Sequence, residues 1–152
     1  PGTGLNFPLA IIEEGKRDVE KIRTLLAIDN KNNSSTFAGN VEEGETVRLW
    51  QTNHDRLVEG AGNAANLVMN GLSVSKTNQV GLALCVGCVG RKGVMGENVS
   101  DEIKLVQQIL GSQTSVAGFY SYGEIAPRPN TTDSVLHNQT MTIGYLSENL
   151  LA

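Results

Sequence analysis

One apolar segment constrains the fold more than any other part of the sequence. Residues 80–88, Val-Gly-Leu-Ala-Leu-Cys-Val-Gly-Cys, contain no charged side chain. The segment is far too short to span a bilayer, which takes about 20 apolar residues, but it has the length of a β-strand. A strand this apolar is typical of the middle of a sheet that is covered on both faces. We therefore predict a central strand here with both faces buried.

Other short runs on either side of this segment are also typical of strands, and turn residues separate them. The predicted strands lie near residues 7–13, 22–29, 35–38, 46–51, 115–122 and 135–146. An Asn-rich stretch at residues 30–34 predicts a hairpin loop. Residues 46–51 alternate between apolar and polar side chains, which indicates a half-buried strand.

Two segments have the apolar spacing of helices. The first begins at an N-cap, Asn53 or Asp55, and runs to about residue 70. The second covers residues 101–110 with Ser100 as its N-cap. With about seven strands and two helices, the sequence predicts an α+β fold. We expect one largely antiparallel mixed sheet with both helices packed on it.

Composition and charge narrow the possible functions. With 39% hydrophobic and 18% charged residues, the chain is typical of a folded globular domain. A net charge of -4 without a basic run offers no electrostatic surface for nucleic acid. No polybasic or amphipathic anchor is present either. We therefore expect neither a nucleic-acid partner nor membrane contact from this segment.

The ends of the chain set the expected domain limits. The sequence begins Pro-Gly-Thr-Gly, without Met and without the charged and apolar regions of a secretory signal. We interpret residues 1–6 as a linker cut from a longer chain and residues 7–147 as one domain. The expected location is the cytoplasm.

The two cysteines form a Cys-x-x-Cys element, Cys85 to Cys88, which can indicate a redox pair or half of a zinc site. Positions three apart in a strand point to opposite faces, and no second such element follows. His54 and His137 lie far away in the sequence. We therefore expect no metal and no cofactor, with Cys85 in the core. Cys88 lies at the strand's exit and could face a pocket.

Glycines recur every third residue after this strand, at Gly87, Gly90, Gly93 and Gly96. Such a segment can cradle a phosphate, but neither the P-loop spacing nor the dinucleotide-binding spacing is present. The favoured interpretation of residues 90–98 is a loop that needs positive φ or close backbone approach.

Several side chains at predicted strand ends could bind a small molecule. Arg91 could hold a carboxylate or phosphate, although a single arginine is more often simply solvated. Glu124 could bind an ammonium group, or it could form an ion pair with Arg91 or Arg128. Tyr120 and Tyr122 have the apolar bodies and polar tips of pocket walls.

His137 and Asn138 precede the last predicted strand. Together with Cys88 they have the residue types of a cysteine-nucleophile enzyme. A histidine beside a turn is more often a hydrogen-bonding structural residue, and residue types do not establish geometry. Both interpretations stay open.

Six motifs occur in a familiar order. They are Phe-Pro-Leu-Ala-Ile at 7–11, Arg-Thr-Leu-Leu-Ala-Ile-Asp at 23–29, Val-Glu-Glu-Gly-Glu-Thr-Val-Arg-Leu at 41–49, Cys-Val-Gly-Arg at 88–91, Gly-Phe-Tyr-Ser-Tyr-Gly-Glu-Ile at 118–125 and Leu-His-Asn-Gln-Thr at 136–140. In order and spacing they resemble the C-terminal half of the FIST sensory domain.

The resemblance implies a ligand-binding input module of a signalling protein. Its ligand would be a small molecule such as an amino acid, and its partners would be a FIST N-terminal half and an output signalling domain. The expected ligand-binding residues are Cys88, Arg91, Tyr120, Tyr122, Gly123, Glu124, His137 and Asn138. No catalytic residue is expected. A cysteine-nucleophile enzyme using Cys88 and His137, and a protein-interaction adaptor, remain as alternatives.

Overall fold

The computed structural model describes residues 2–12, 19–72, 80–127 and 133–147. The strands are β1 (Leu9–Ile12), β2 (Val19–Arg23), β3 (Leu25–Asp29), β4 (Ser34–Phe37), β5 (Thr46–Leu49), β6 (Gly81–Cys88), β7 (Thr114–Ser121), β8 (Glu124–Pro127), β9 (Ser134–His137) and β10 (Met141–Ser147). The α-helices are α1 (His54–Gly71), α2 (Val89–Met95) and α3 (Ser100–Leu110), and two 3-10 helices cover Gly2–Asn6 and Gly96–Val99.

These elements confirm the α+β class, but the prediction of one seven-stranded sheet is wrong. The described strands form two three-stranded sheets, β2-β1-β5 and β10-β6-β7, and two hairpins, β3-β4 and β8-β9. The β6–β7 pair is parallel, and the other pairs are antiparallel. A sequence pattern marks strands but not their partners, because pairing joins segments that are distant in the chain.

Strand β6 is central, as predicted, but the prediction that both of its faces are buried is wrong. Ala83 and Cys85 face the core, whereas Leu82 and Leu84 are 43% and 46% exposed. The helices cover only one side of β10-β6-β7. Its other side, which we call the outward face, consists of Leu82, Leu84, Val86, Ser115, Ala117, Phe119, Thr142, Gly144 and Leu146.

Helices α1 and α3 pack on each other and close the core over the covered side of this sheet. The buried cluster consists of Ala61, Ala65, Ala83, Cys85, Val106 and Leu110. At Gly62 an added Cβ would lie 2.8 Å from Leu105 Cδ2, so the two helices approach closely at this glycine. The small residues on α1 therefore serve contacts with α3 as well as with the sheet.

Helix starts agree only partly with the prediction. Asn53 is the N-cap of α1, and its Oδ1 accepts from the backbone N of Arg56 at 3.0 Å. Ser100 is not the N-cap of α3. The preceding 3-10 helix leads directly into α3, and the N-cap is Val99, which makes no side-chain cap. Gly111 ends α3. Its φ of 91° lies in the left-handed region, which favours glycine.

The predicted glycine loop at residues 90–98 is wrong, because this segment forms α2 and the second 3-10 helix. Close packing explains two of its glycines. An added Cβ at Gly93 would lie 2.7 Å from Leu5 Cδ1, and one at Gly90 would lie 3.1 Å from Gln139 Cγ. Of the glycines in this segment, Gly96 is the one with a positive φ. Tertiary contact thus overrides the low helix propensity of glycine.

Two smaller differences from the predicted strands lie in the first half of the chain. Residues 22–29 are not one strand but divide at Thr24 into the end of β2 and all of β3. Strand β5 is exposed along its whole length and not half-buried. Residues 2–6 form a 3-10 helix that contacts α2.

None of the helices in the described ranges is long and apolar enough to cross a membrane.

Candidate functional site

Arg91 is buried in an ion pair inside the fold. Its side chain is 2% exposed, and Glu102 is fully buried. The Arg91 Nε and Nη2 atoms donate to Glu102 Oε2 at 3.0 and 2.5 Å. Nη2 also donates to the Leu57 carbonyl at 2.7 Å, and Nη1 donates to the Gln139 carbonyl at 3.2 Å. The guanidinium therefore ties α2 to α1, to α3 and to the turn before β10.

Tyr120 completes this buried polar network. Its hydroxyl donates to Glu102 Oε1 at 2.7 Å, and the ammonium of Lys92 lies 5.7 Å from the ring centroid. Burial, followed by the hydrogen bond to Glu102, raises the pKa of Tyr120 above its ordinary value of 10.0. The phenol therefore stays protonated and acts as a permanent donor to the carboxylate.

Sequence reasoning missed Glu102, although a signal for it was present. Glu102 is four residues before Val106 and eight before Leu110, so it lies on the apolar stripe of α3. An acidic residue on such a stripe indicates a buried partner, because an unpaired buried charge is very costly.

Glu124 is also buried, but it pairs with hydroxyl groups. Its Oε1 accepts from Ser121 Oγ at 3.0 Å, and its Oε2 accepts from Thr140 Oγ1 at 2.8 Å. The ion-pair partner of Arg91 is Glu102 and not Glu124, while Arg128 lies outside the described residues. Burial raises the pKa of Glu124 above its ordinary value of 4.5, and the two hydroxyl hydrogen bonds oppose this shift.

This raised pKa predicts a pH-dependent stability. Because the folded pKa is the higher one, the group's contribution is fully present below the unfolded pKa. That contribution is lost as the pH rises through the folded pKa. We expect the Glu124→Gln variant to lose less stability than the wild type as the pH rises above 4.5, measured by urea unfolding at several pH values. Glu43→Gln in an exposed turn should keep the wild-type profile. Parallel profiles for Glu124→Gln and the wild type would contradict the assignment.

His137 and Asn138 have hydrogen-bond partners in the protein. Asn138 is buried, its Oδ1 accepts from the Thr24 backbone N at 3.4 Å, and its Nδ2 donates to the His137 carbonyl at 3.1 Å. The Nε2 atom of His137 lies 3.1 Å from the Ala126 carbonyl oxygen. Asn138 thus joins the end of the β8–β9 hairpin to Thr24, whereas the contact between His137 and Ala126 lies within the hairpin.

Neither cysteine has the setting of a nucleophile. Both are free and buried, and Cys85 belongs to the core, as predicted. Burial, followed by the charge of Glu102, raises the pKa of Cys85. Cys88 is 3% exposed, whereas a reactive thiolate needs an accessible, electropositive setting. No cluster of three or more potential metal ligands occurs in the described part of the chain.

Tyr122 and Gly123 lie at the turn between β7 and β8. Tyr122 is 89% exposed. Gly123 packs tightly, since an added Cβ would lie 3.0 Å from Leu136 Cδ1 and 3.3 Å from the His137 carbonyl oxygen. Tyr122 is accordingly a surface residue, and Gly123 permits the close approach of the β8–β9 hairpin.

A concavity lies along one side of α1. This α1 cavity has a volume of about 350 Å³. Its lining residues are Pro8, Ile22, Trp50, Thr52, Arg56, Leu57, Gly60, Asn63, Ala64, Leu67, Arg91, Ala126, Pro127, His137, Gln139, Thr140, Met141 and Thr142. Of the eight predicted ligand residues, Arg91 and His137 border it, and the other six do not.

Two further concavities lie nearby. An outer cavity of about 330 Å³ shares Trp50, Arg56, Gly60 and Asn63 with the α1 cavity and adds Glu59. A crevice of about 260 Å³ between α3 and the sheet is bordered by Tyr120 and Glu102. The predicted ligand residues are therefore divided among a cavity, a crevice, the interior and the surface.

Trp50 and Arg56 border both the α1 cavity and the outer cavity, and we call this shared border the mouth of the α1 cavity. The Arg56 guanidinium lies 5.9 Å from the Trp50 ring centroid, and its Nη1 donates to the Gln51 carbonyl at 2.9 Å. Sequence reasoning missed both as site residues. A single tryptophan next to a helix start that carries an arginine was the available signal.

Comparison with models of known protein families assigns the chain to one family. The model of the family described as FIST C domain matches residues 1–127. The chain belongs to the FIST C domain family. This is a family of sensory domains associated with signal transduction. No curated protein and no solved structure matches the chain.

The FIST C match and the α1 cavity overlap only in part. Helix α1, Trp50 and Thr52 lie inside the matched segment, whereas His137 and the residues of β10 that border the cavity follow it. The cavity is therefore formed jointly by the matched segment and by the final strands of this FIST C domain.

Proposed function

We propose that this FIST C domain binds a small organic molecule in the α1 cavity and passes the binding signal to an output domain of a signalling protein. Amino acids are the first ligand class to test, and the cytoplasm is the proposed location. A FIST N-terminal half is the proposed neighbour. The proposed role is sensory and not catalytic, which agrees with the buried setting of Cys88.

The observation that carries this proposal is the cavity itself. Its volume of about 350 Å³ falls within the range of known small-molecule pockets, about 300–1,000 Å³. Its walls combine apolar side chains, such as Leu57 and Met141, with a few polar groups, among them Thr52, Thr142 and Arg56. This mixture of an apolar wall and a few polar groups is typical of ligand sites.

The position of the cavity suggests how binding could be transmitted. Its wall includes α1, which also packs on α3 and β10. Arg91 borders the cavity and ties α2 to α1 and α3. If a ligand binds more tightly when α1 is in one placement than in another, binding would favour that placement. It would therefore also shift the elements that are joined to α1.

A ligand screen tests this proposed function. A ligand present at a hundred times its Kd should stabilise the domain by about 2.7 kcal/mol, measured as a shift in thermal unfolding. Gly60→Leu places a side chain at a cavity-lining position and should abolish the shift. Asn66→Leu adds the same side chain to an exposed position of α1 outside the cavity, and it should preserve the shift. Equal shifts in both variants would place the ligand elsewhere.

The outward face favours a second candidate, a protein-interaction module. It carries no charged side chain, and Leu82, Leu84, Phe119 and Leu146 are substantially exposed on it. Exposed apolar patches of this kind often mark interaction sites. If no molecule in the ligand screen binds, and Gly60→Leu folds like the wild type, this second function is favoured.

A further inference from the structure

Arg56 is a positioned cation at the mouth of the α1 cavity. Its guanidinium is held against the Trp50 ring and by one hydrogen bond to the Gln51 carbonyl. A side chain that is already held in place loses less conformational freedom when it binds an anion. Arg56 is exposed, so an entering molecule can reach it.

The hydrogen-bonding capacity of Arg56 is largely unused. A guanidinium has five N–H donors, and one of them donates to Gln51. Within the described ranges no other hydrogen bond and no ion pair of this guanidinium occurs, so four donors remain. Arg91 differs, because its guanidinium is buried and already donates to Glu102, Leu57 and Gln139. Arg56 is therefore the arginine that can receive an acid group, and its planar fork matches a carboxylate.

The interior beyond Arg56 suits an apolar body. The described lining includes Pro8, Leu57, Ala64, Leu67 and Met141, and it contains no Asp or Glu. An ammonium group placed there would lose its hydration without gaining an opposite charge, which is unfavourable. The acidic residue nearby is Glu59, which is exposed and borders only the outer cavity.

We infer that the ligand of the α1 cavity is a small apolar carboxylate without an ammonium group. Its carboxylate binds the Arg56 fork, and its aliphatic or aromatic body lies against the apolar wall beyond Gly60. This inference rests on the proposed function, and it replaces the amino acids named there as the first class to test by apolar acids that lack the ammonium group.

The fluorescence of Trp50 reports ligand binding directly, because Trp50 is the only tryptophan in the sequence and borders the cavity. Its fluorescence is titrated with 3-phenylpropionate, 3-phenylpropanamide and phenylalanine. A second set of 4-methylpentanoate, its amide and leucine covers the aliphatic case. The acid should bind most tightly in at least one set. The amide lacks the charge, and the amino acid carries an ammonium group without an acidic partner in the cavity.

Variants test the assignment of the acid group. Arg56→Gln should weaken binding of the acid about tenfold or more, as expected for a lost charge-assisted hydrogen bond, and should leave the amide unchanged. Arg48→Gln makes the same charge change on β5, outside the cavity, and should bind like the wild type. Glu59→Gln should leave binding of the acid unchanged or strengthen it, because a nearby negative charge is removed.

Several results would overturn the inference while leaving the proposed function intact. They are equal affinity for acid and amide, equal effects of Arg56→Gln and Arg48→Gln, or tighter binding of the amino acid that is lost in Glu59→Gln. Failure of every acid to bind, when another molecule from the ligand screen binds in a manner abolished by Gly60→Leu, would also overturn it. If no molecule in the screen binds, the proposed function and the inference both fail.

Discussion

Replacing Glu102 by alanine is expected to destabilise the domain by about 3–5 kcal/mol, because the change leaves the buried Arg91 guanidinium without its counter-charge. This is a large part of the total stability of an ordinary domain, about 5–15 kcal/mol. The Tyr120 hydroxyl would lose its acceptor at the same time. Urea unfolding monitored by circular dichroism measures the change.

Two further variants show whether the unpaired charge is the cause. Lys104→Ala removes the exposed ion pair between Lys104 and Asp101 on the same helix, and stability should be unchanged. The double variant Arg91→Met with Glu102→Leu removes both buried charges and should be more stable than Glu102→Ala. If the double variant is the less stable of the two, the ion pair itself, and not the unpaired charge, accounts for the loss.

This expectation also limits how ligand binding can be tested. Arg91→Ala leaves Glu102 as an uncompensated buried carboxylate, so a loss of binding in that variant would report unfolding. Arg56 is exposed, and its side chain makes one hydrogen bond and one ring contact in the described structure. Substitution of Arg56 therefore separates binding from folding.

Gly118→Ala is expected to be the second strongly destabilising change. An added Cβ at Gly118 would overlap the carbonyl oxygen of Cys85, which is its register partner in the parallel β6–β7 pair. The obstacle is backbone, so no change of rotamer can remove it. We expect a loss of about 3 kcal/mol, at the upper end of the usual cost of overpacking, in the same urea unfolding measurement.

Gly144 offers a matched control in the same sheet. It lies in β10, pairs with Leu84, and would have no heavy atom within 4 Å of an added Cβ. Gly144→Ala should be neutral, or stabilising by about 0.5–1 kcal/mol, because alanine restricts the unfolded chain. Similar losses for Gly118→Ala and Gly144→Ala would refute the proposed clash.

Local patterns predicted the elements better than their arrangement. The periodicity of α1 and the side chain of Asn53 were sufficient to find that helix and its start. The apolar run of β6 correctly predicted a central strand. The same run could not reveal the exposed side of the strand, since the extent of covering depends on where α1 and α3 pack. The glycines of α2 led to the wrong prediction of a loop. Glycine occurs there because the helix packs closely against Leu5 and Gln139, which are distant in the sequence.

The candidate site was harder to predict than the fold. Arg91, Glu124 and Tyr120 were recognised as unusual polar residues near strand ends, and all three take part in buried or partly buried hydrogen bonds. Residue type alone did not identify Glu102 as the partner of Arg91, because an acidic residue in a first helical turn is ordinary. The available signal was its position on the apolar stripe of α3. The ligand roles predicted for Cys88, Tyr122, Gly123 and Asn138 stay predictions, and none of these residues borders the α1 cavity.

The outward face has a consequence for the behaviour of the domain in solution. No side chain on it titrates or carries charge, so electrostatic repulsion between two copies must come from charges elsewhere on a chain of net charge -4. Added salt screens those charges within about 10 Å at 0.1 M, while apolar attraction between uncovered faces persists. The concentration at which the isolated domain stays monomeric should therefore fall as ionic strength rises.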